Sequence, residues 1–324
     1  MTSTRKRNVF IDCLKGATII LVVLGHAEGT FIEDFYTAPI FLFCYSFHMF
    51  LFMLLSGYLI AHKEPTLSFI KHRFFRLIVP LLIWSSLFSL IIHGELTFPI
   101  VISFFTYPML WYLAVLFYCD ILFAMSSYFK QKYTLSLFFV VLLQVLVLFI
   151  PQIPEGFKMT AIYFPFYIAG IAIYEYHKRL KELSLYILAV IYPISMLLFS
   201  FKGGRISAAE KLSSVFQAWH LSPYFIGSFQ HVYLSPVFIL YNHYVVAPLG
   251  CAFWYVCIKY ISKIVPFQFL LKFIGKFTLQ IYILSNIFFL HDILTSTLLG
   301  VLLPVAIGCI INRVPRLSRI LFGA

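Results

Sequence analysis

The sequence predicts an all-α, polytopic integral membrane protein with about ten transmembrane helices and both termini cytoplasmic. Three observations carry that reading. Hydrophobic residues make up 62% of the 324-residue chain and charged residues only 11%, with a mean hydropathy of +0.95. A soluble domain of this size needs far more polar surface. Apolar stretches of about 17–25 residues recur along the whole chain, the length that crosses a hydrocarbon core. Backbone in lipid must satisfy its own hydrogen bonds, so these stretches read as helices. The apolar/polar alternation of a membrane-spanning strand is absent, which argues against an outer-membrane barrel.

The predicted spans are 9–27, 38–61, 74–93, 104–127, 133–150, 161–176, 183–201, 235–258, 269–290 and 294–311. The first follows Arg5-Lys6-Arg7 and resembles a signal peptide, but Asp12 and Lys15 interrupt its apolar run and no small-residue cleavage site follows. It reads as a retained helix. Topology follows from the basic residues. With the N-terminus inside, alternating loops leave only Lys158, Lys202, Arg205 and Lys211 of the 24 Lys and Arg on the outer side. Such a bias marks cytoplasmic loops, and it also accounts for the net charge of +12 without nucleic acid as a partner. No aromatic-basic platform suggests one. The outer side has one long segment, 202–234, with Gly203-Gly204, Trp219, His220, Tyr224, Phe229 and His231. A loop of that length suits a lid or a binding loop, or lies as a plain connector at the interface. No soluble appendage, low-complexity linker or internal repeat is evident, so residues 1–324 read as one membrane domain.

Neither cysteines nor histidines suggest a metal. Cys13, Cys44, Cys119, Cys251, Cys257 and Cys309 fall in apolar spans with no Cys-x-x-Cys, as buried small residues do. The ten histidines show no His-Glu-x-x-His and no zinc spacing.

Ionisable residues inside the membrane are costly and are therefore candidates for function. The first helix holds Asp12, Lys15 and His26. Lys15 and His26, eleven apart, share one helix face about 16 Å apart along the axis. Asp12 lies one turn below Lys15 on the same side, and Glu28 stands two residues beyond His26. Arg73 and Arg76, in Lys71-His72-Arg73-Phe74-Phe75-Arg76, share a face at a helix start. Guanidinium forks suit phosphate oxygens. His48, in Ser46-Phe47-His48-Met49, lies in the second span, and Leu55-Ser56-Gly57-Tyr58 follows it. Ser56-Gly57 permits close approach of another helix.

These runs together resemble the acyltransferase-3 family of membrane acyltransferases. Ile11-Asp12-Cys13-Leu14-Lys15-Gly16 with Leu21-Val22-Val23-Leu24-Gly25-His26 is similar to its opening, a basic residue, ten intervening residues and a histidine. Phe47-His48-Met49 with Leu55-Ser56-Gly57-Tyr58 resembles its second-helix signature, and Arg73-Phe74-Phe75-Arg76 with Pro80 its Arg-x-x-Arg motif. Leu110-Trp111-Tyr112-Leu113 and Gly275-Lys276-Phe277-Thr278-Leu279-Gln280-Ile281-Tyr282 resemble later segments, so the likeness runs along nearly the whole chain. The Lys-Gly and Val-Val-Leu-Gly-His wording is most similar to the fucose 4-O-acetylase-like branch. Phe50 stands where the family usually has proline, and Ser285 where a histidine often closes the Ile-Tyr segment.

The resemblance implies transfer of an acyl group, acetyl above all, from cytoplasmic acyl-CoA to a hydroxyl of a cell-surface polysaccharide or its lipid-linked precursor. It implies a bacterial inner membrane, acetyl-CoA as co-substrate and no permanently bound cofactor or metal. His26 becomes the candidate base, or the site of a covalent acyl intermediate, with Glu28 or Asp12 orienting it. Lys15, Arg73 and Arg76 become candidate donor-binding residues. His48, Ser56, Tyr58, Trp111 and Tyr112 become candidates for lining the acceptor site or tunnel. The alternative from another class is a polysaccharide-precursor transporter or flippase. Such a protein often carries inverted repeats and broken helices at mid-membrane, and the sequence shows neither.

Overall fold

The computed structural model describes residues 8–35, 38–93, 110–129, 132–149, 155–176, 182–199 and 240–323. Their regular structure is helical throughout. The helices are α1 (Val9–Phe31), α2 (Pro39–Ile60), α3 (Leu67–His93), α4 (Trp111–Tyr128), α5 (Lys132–Phe149) and α6 (Glu155–Tyr176). They continue with α7 (Glu182–Ser195), α8 (Ala247–Ile261), α9 (Val265–Ile274), α10 (Thr278–Leu284), α11 (Ile293–Ile311) and α12 (Pro315–Phe322). The long outer segment, 202–234, together with the start of the fourth and eighth predicted spans, lies outside the described residues.

Seven of these helices are long and apolar enough to cross a membrane. They are α1, α2, α3, α4, α6, the stretch Asn242–Ile261 that a π-turn extends ahead of α8, and α11. The chain is therefore a multi-pass membrane protein. The predicted spans 133–150 and 183–201 correspond to shorter apolar helices, Lys132–Val147 and Glu182–Ser195. The ninth span, read as one helix over 269–290, is broken. Val265–Ile274 and Thr278–Phe288 meet at 62°, because the chain makes a turn at Gly275-Lys276-Phe277. The third helix begins at Leu67, two turns earlier than predicted, so Arg73 and Arg76 lie within it.

The chain divides into two compact units, residues 1–51 with 181–303, and residues 52–180 with 304–324. In the first, Asn8 caps α1 by accepting the N–H groups of Phe10 at 3.0 Å and Ile11 at 3.4 Å. This satisfies donors that a helix start leaves free. The α1 helix packs on α8, α9 and α10, and α7 packs on α8. A Cβ on Gly275 would collide with the Asp12 carbonyl, so α1 and the α9–α10 turn meet backbone to backbone. Lys259 of α8 bonds Glu182 of α7 at 2.8 Å.

In the second unit α4 packs on α3, α5 and α6, and α12 lies along α3. Gly57 and Gly170 make the tightest approach there. A Cβ on Gly57 would overlap the Tyr167 carbonyl, and one on Gly170 the Leu54 carbonyl. The Ser56-Gly57 step thus admits α6 to contact distance, as small residues do in membranes. Glu175 of α6 accepts from both Lys132 and Tyr133 of α5.

Candidate active site

In the first unit, Gly25 sets how closely α1 meets α2. A Cβ there would stand 3.0 Å from Tyr45 Cε2 and 3.2 Å from Cys44 Cβ. The half-buried His26 therefore lies beside Tyr45, ring centroids 6.0 Å apart. Tyr45 in turn meets His48 edge-on at 4.9 Å, so one tyrosine ring stands between two imidazoles.

His48 is almost fully buried, and its Nδ1 contacts the Cys44 carbonyl one turn earlier. A carbonyl only accepts, so this contact puts the ring proton on Nδ1 and leaves a lone pair on Nε2. That Nε2 is buried and has no hydrogen-bond partner among the described residues. Glu28, also buried, receives the Phe41 N–H, yet its Oε2 is buried without a partner among the described residues. Two acceptor atoms are thus held out of water with no donor, an arrangement that native interiors rarely keep without a reason. Glu28 lies about 200° around α1 from His26, and no hydrogen bond among the described residues joins them. The expected orientation of the His26 ring by Glu28 is not a direct contact.

Asp12 is buried and pairs with Lys15 at 3.9 Å. The uninterrupted α1 helix sets Asp12 about 21 Å along the axis from His26. The structure therefore brings Asp12 to Lys15 and not to the histidine.

In the second unit Arg73 turns inward. Its Nε donates to Asp120 Oδ2 at 2.5 Å, and the Tyr167 hydroxyl donates to Oδ1 at 2.6 Å. Asp120 and Tyr167 are fully buried and Arg73 nearly so. Arg76, one turn on, is exposed and makes no ion pair among the described residues. The two arginines thus differ: one is held inside the helix packing and the other faces out. Lys63, in the turn after α2, is the next cation. Loss of solvent around its ammonium, then the charges of Arg76 and Arg73, push it below the ordinary lysine range.

Other sequence candidates of this unit are placed as follows. Ser56 and Tyr112 share a hydrogen bond at 2.9 Å. Tyr58 meets Tyr174 edge-on at 5.3 Å, and Trp111 stacks on Tyr163 at 5.1 Å. Sequence reasoning missed Asp120 and Tyr167. Asp120 carried a signal, a carboxylate in the middle of the apolar run Trp111–Tyr128 that demands a buried partner. Tyr167, one tyrosine among 21, carried none. No group of three His, Cys, Asp or Glu among the described residues is arranged to hold a metal.

The chain's family model decides what kind of protein carries this geometry. Residues 8–313 match the model of the acyltransferase domain known as acyltransferase-3. The chain belongs to the acyltransferase-3 family. It is thus a membrane acyltransferase, and the broken α9–α10 helix, a feature also common in transporters, does not change that class. Two curated relatives match over shorter stretches. One is the nodulation protein NolL of Sinorhizobium fredii strain NGR234, 40% identical over 88 residues, which are 25% of this chain and 24% of the relative. The other is the nodulation protein NolL of Mesorhizobium japonicum, 37% identical over 93 residues, 26% of this chain and 24% of the relative. The match therefore spans about a quarter of these relatives' length. No solved structure matches the chain.

Proposed function

We propose that this acyltransferase moves an acetyl group from cytoplasmic acetyl-CoA to a hydroxyl of a cell-surface polysaccharide or its lipid-linked precursor. It does so as one membrane domain of a bacterial inner membrane, with both termini inside. Acetyl-CoA is a co-substrate, and no resident cofactor or metal takes part. The observation that carries the reading is the pair of buried acceptors without a donor among the described residues, Glu28 Oε2 and His48 Nε2, where α1 meets α2; Tyr45 joins His48 to His26. A bound polyol supplies the hydroxyl donors that such atoms lack.

In the proposed reaction the acceptor hydroxyl attacks the thioester carbonyl carbon. The new C–O bond forms as the hydroxyl proton passes to the neutral His26 imidazole. The C–S bond then breaks, and the departing thiolate takes that proton to leave as the CoA thiol. Glu28 accepts from a second hydroxyl and fixes the sugar's orientation. His48 accepts through Nε2, with its tautomer set by Cys44. Arg76 is proposed to contact the donor, Lys15 to add a cation along its path while paired with Asp12, and Arg73 to serve through its fixed place beside Asp120. Ser56, Tyr58, Trp111 and Tyr112 remain proposed lining residues. The charge bias among loops supports an inner position for Arg73 and Arg76, and with it a cytoplasmic donor.

The test is His26→Ala in cells, with surface-glycan acetylation read by mass spectrometry. Transfer falls about 10²–10⁴-fold if the imidazole moves the proton. Normal acetylation by a stably inserted variant removes His26 from the reaction.

A further inference from the structure

The second unit gathers more positive charge around Arg76 than the Arg-x-x-Arg motif itself supplies, and its last helix contributes part of it. The α12 helix is fixed to α3 by three contacts. Trp84 Nε1–H donates to the Leu321 carbonyl at 2.8 Å. The buried Phe322 ring stacks on Trp84 at 5.8 Å. Gly323 ends the helix in the left-handed region, φ 61°, where it presses on the Arg76 backbone. A Cβ at that position would collide with the Arg76 carbonyl. Only glycine takes both the dihedral and the contact without strain. The final turn of α12 is thereby held against the turn of α3 that carries Arg76.

This docking brings Arg319 into the neighbourhood of His72. The charges of Arg76, Lys63, Arg73 and Arg319 all reach that ring. Lys63 arrives from a third element, the turn after α2, where its N–H bonds the Ile60 carbonyl at 2.8 Å. Lys63, His72, Arg76 and Arg319 are all exposed. Asp120 is the carboxylate whose charge reaches Lys63 and Arg76, and both its oxygens are already occupied by Arg73 and Tyr167. Lys63, Arg76 and Arg319 make no ion pair among the described residues. Like charges drawn together from three elements repel one another, and a bound polyanion removes that repulsion.

We propose that Lys63, Arg76 and Arg319 form a basin for phosphate groups of the acyl donor, with His72 beside them and Arg73 withheld by Asp120. The inference rests on acyl-CoA being the donor. CoA carries a diphosphate and a 3′-phosphate, a spread of negative charge that one arginine does not cover and a three-element basin does. Guanidinium forks match phosphate oxygens in pairs, and lysine adds a point charge. Anionic lipid headgroups offer the same phosphate chemistry, so the test separates the two sources.

The full chain is placed in phosphatidylcholine nanodiscs, and acetyl-CoA binding is measured by calorimetry for the wild type, Lys63→Gln and Arg319→Gln. Both side chains are exposed, so the variants keep the fold, which unfolding temperature checks. Each variant binds acetyl-CoA about tenfold more weakly, the loss of one charge-assisted contact. A parallel series in nanodiscs containing phosphatidylglycerol measures competition by lipid phosphate. Unchanged acetyl-CoA affinity in both variants overturns the basin while leaving the donor intact. Unchanged acetyl-CoA affinity with a lost response to phosphatidylglycerol overturns it in favour of lipid headgroups. No acetyl-CoA binding by the wild type refutes the donor class itself, and the basin's ligand with it.

Discussion

Asp120 accepts a hydrogen bond on each carboxylate oxygen inside the second unit, whereas Glu28 in the first unit leaves one buried oxygen with none among the described residues. Arg73 and His48 repeat the contrast. The guanidinium is tied to a carboxylate, and the imidazole turns an unpartnered nitrogen into the interior. Both pairs are buried ionisable groups in apolar helices, so desolvation bears on both. What differs is satisfaction. A saturated network rigidifies the helices that share it. A buried acceptor without a donor costs about 1–3 kcal/mol, and such a cost is kept where function needs the atom. The comparison separates residues that hold the fold from residues that await a ligand, a distinction that charge or burial alone does not make.

The largest effect on stability is expected at Asp120. Asp120→Asn removes the negative charge facing Arg73 and destabilises the protein by about 3–5 kcal/mol, seen as a lower unfolding temperature in detergent. Replacing both partners with apolar residues, Arg73→Met with Asp120→Leu, restores most of that loss. If the single variant unfolds like the wild type, the pair is not structural and the comparison fails. Tyr167→Phe is milder, because Asp120 keeps its arginine. A loss of about 1 kcal/mol is expected, and a drop as large as that of Asp120→Asn makes the hydroxyl, not the ion pair, the anchor.

Much of the fold was legible because hydrocarbon thickness sets helix length. The spans ending near Phe31, Ile60 and Ile311 follow from hydropathy and loop charge. The break at Gly275-Lys276-Phe277 was not legible, since both halves are apolar and their summed length is that of one span. The early start of α3 was hidden by Lys71 and Arg73, which precede the predicted span as charged residues until Asp120 provides Arg73 with a partner inside the second unit. At the candidate site, His26 and His48 stood out as polar residues in apolar runs, while the contact of Tyr45 with both rings emerges only from the packing of α1 on α2. Which atoms go unsatisfied depends on side chains from neighbouring helices. The orphaned state of Glu28 Oε2 and His48 Nε2 was beyond helix periodicity, as was the separation of Arg73 from Arg76. The two-residue step from His26 to Glu28 suggested a contact that a helix, at about 100° per residue, does not make.

The measurement that bears most directly on the contrast is His48→Leu, read for thermal unfolding and acetyl transfer in the same preparation. Replacing an imidazole that holds a buried nitrogen without a donor by an apolar side chain leaves stability unchanged or raises it by about 1 kcal/mol, while acetyl transfer falls about tenfold, the loss of one hydrogen bond to the acceptor. A destabilised variant that still transfers acetyl at the wild-type rate contradicts the account, for it makes His48 part of the packing and not of the site.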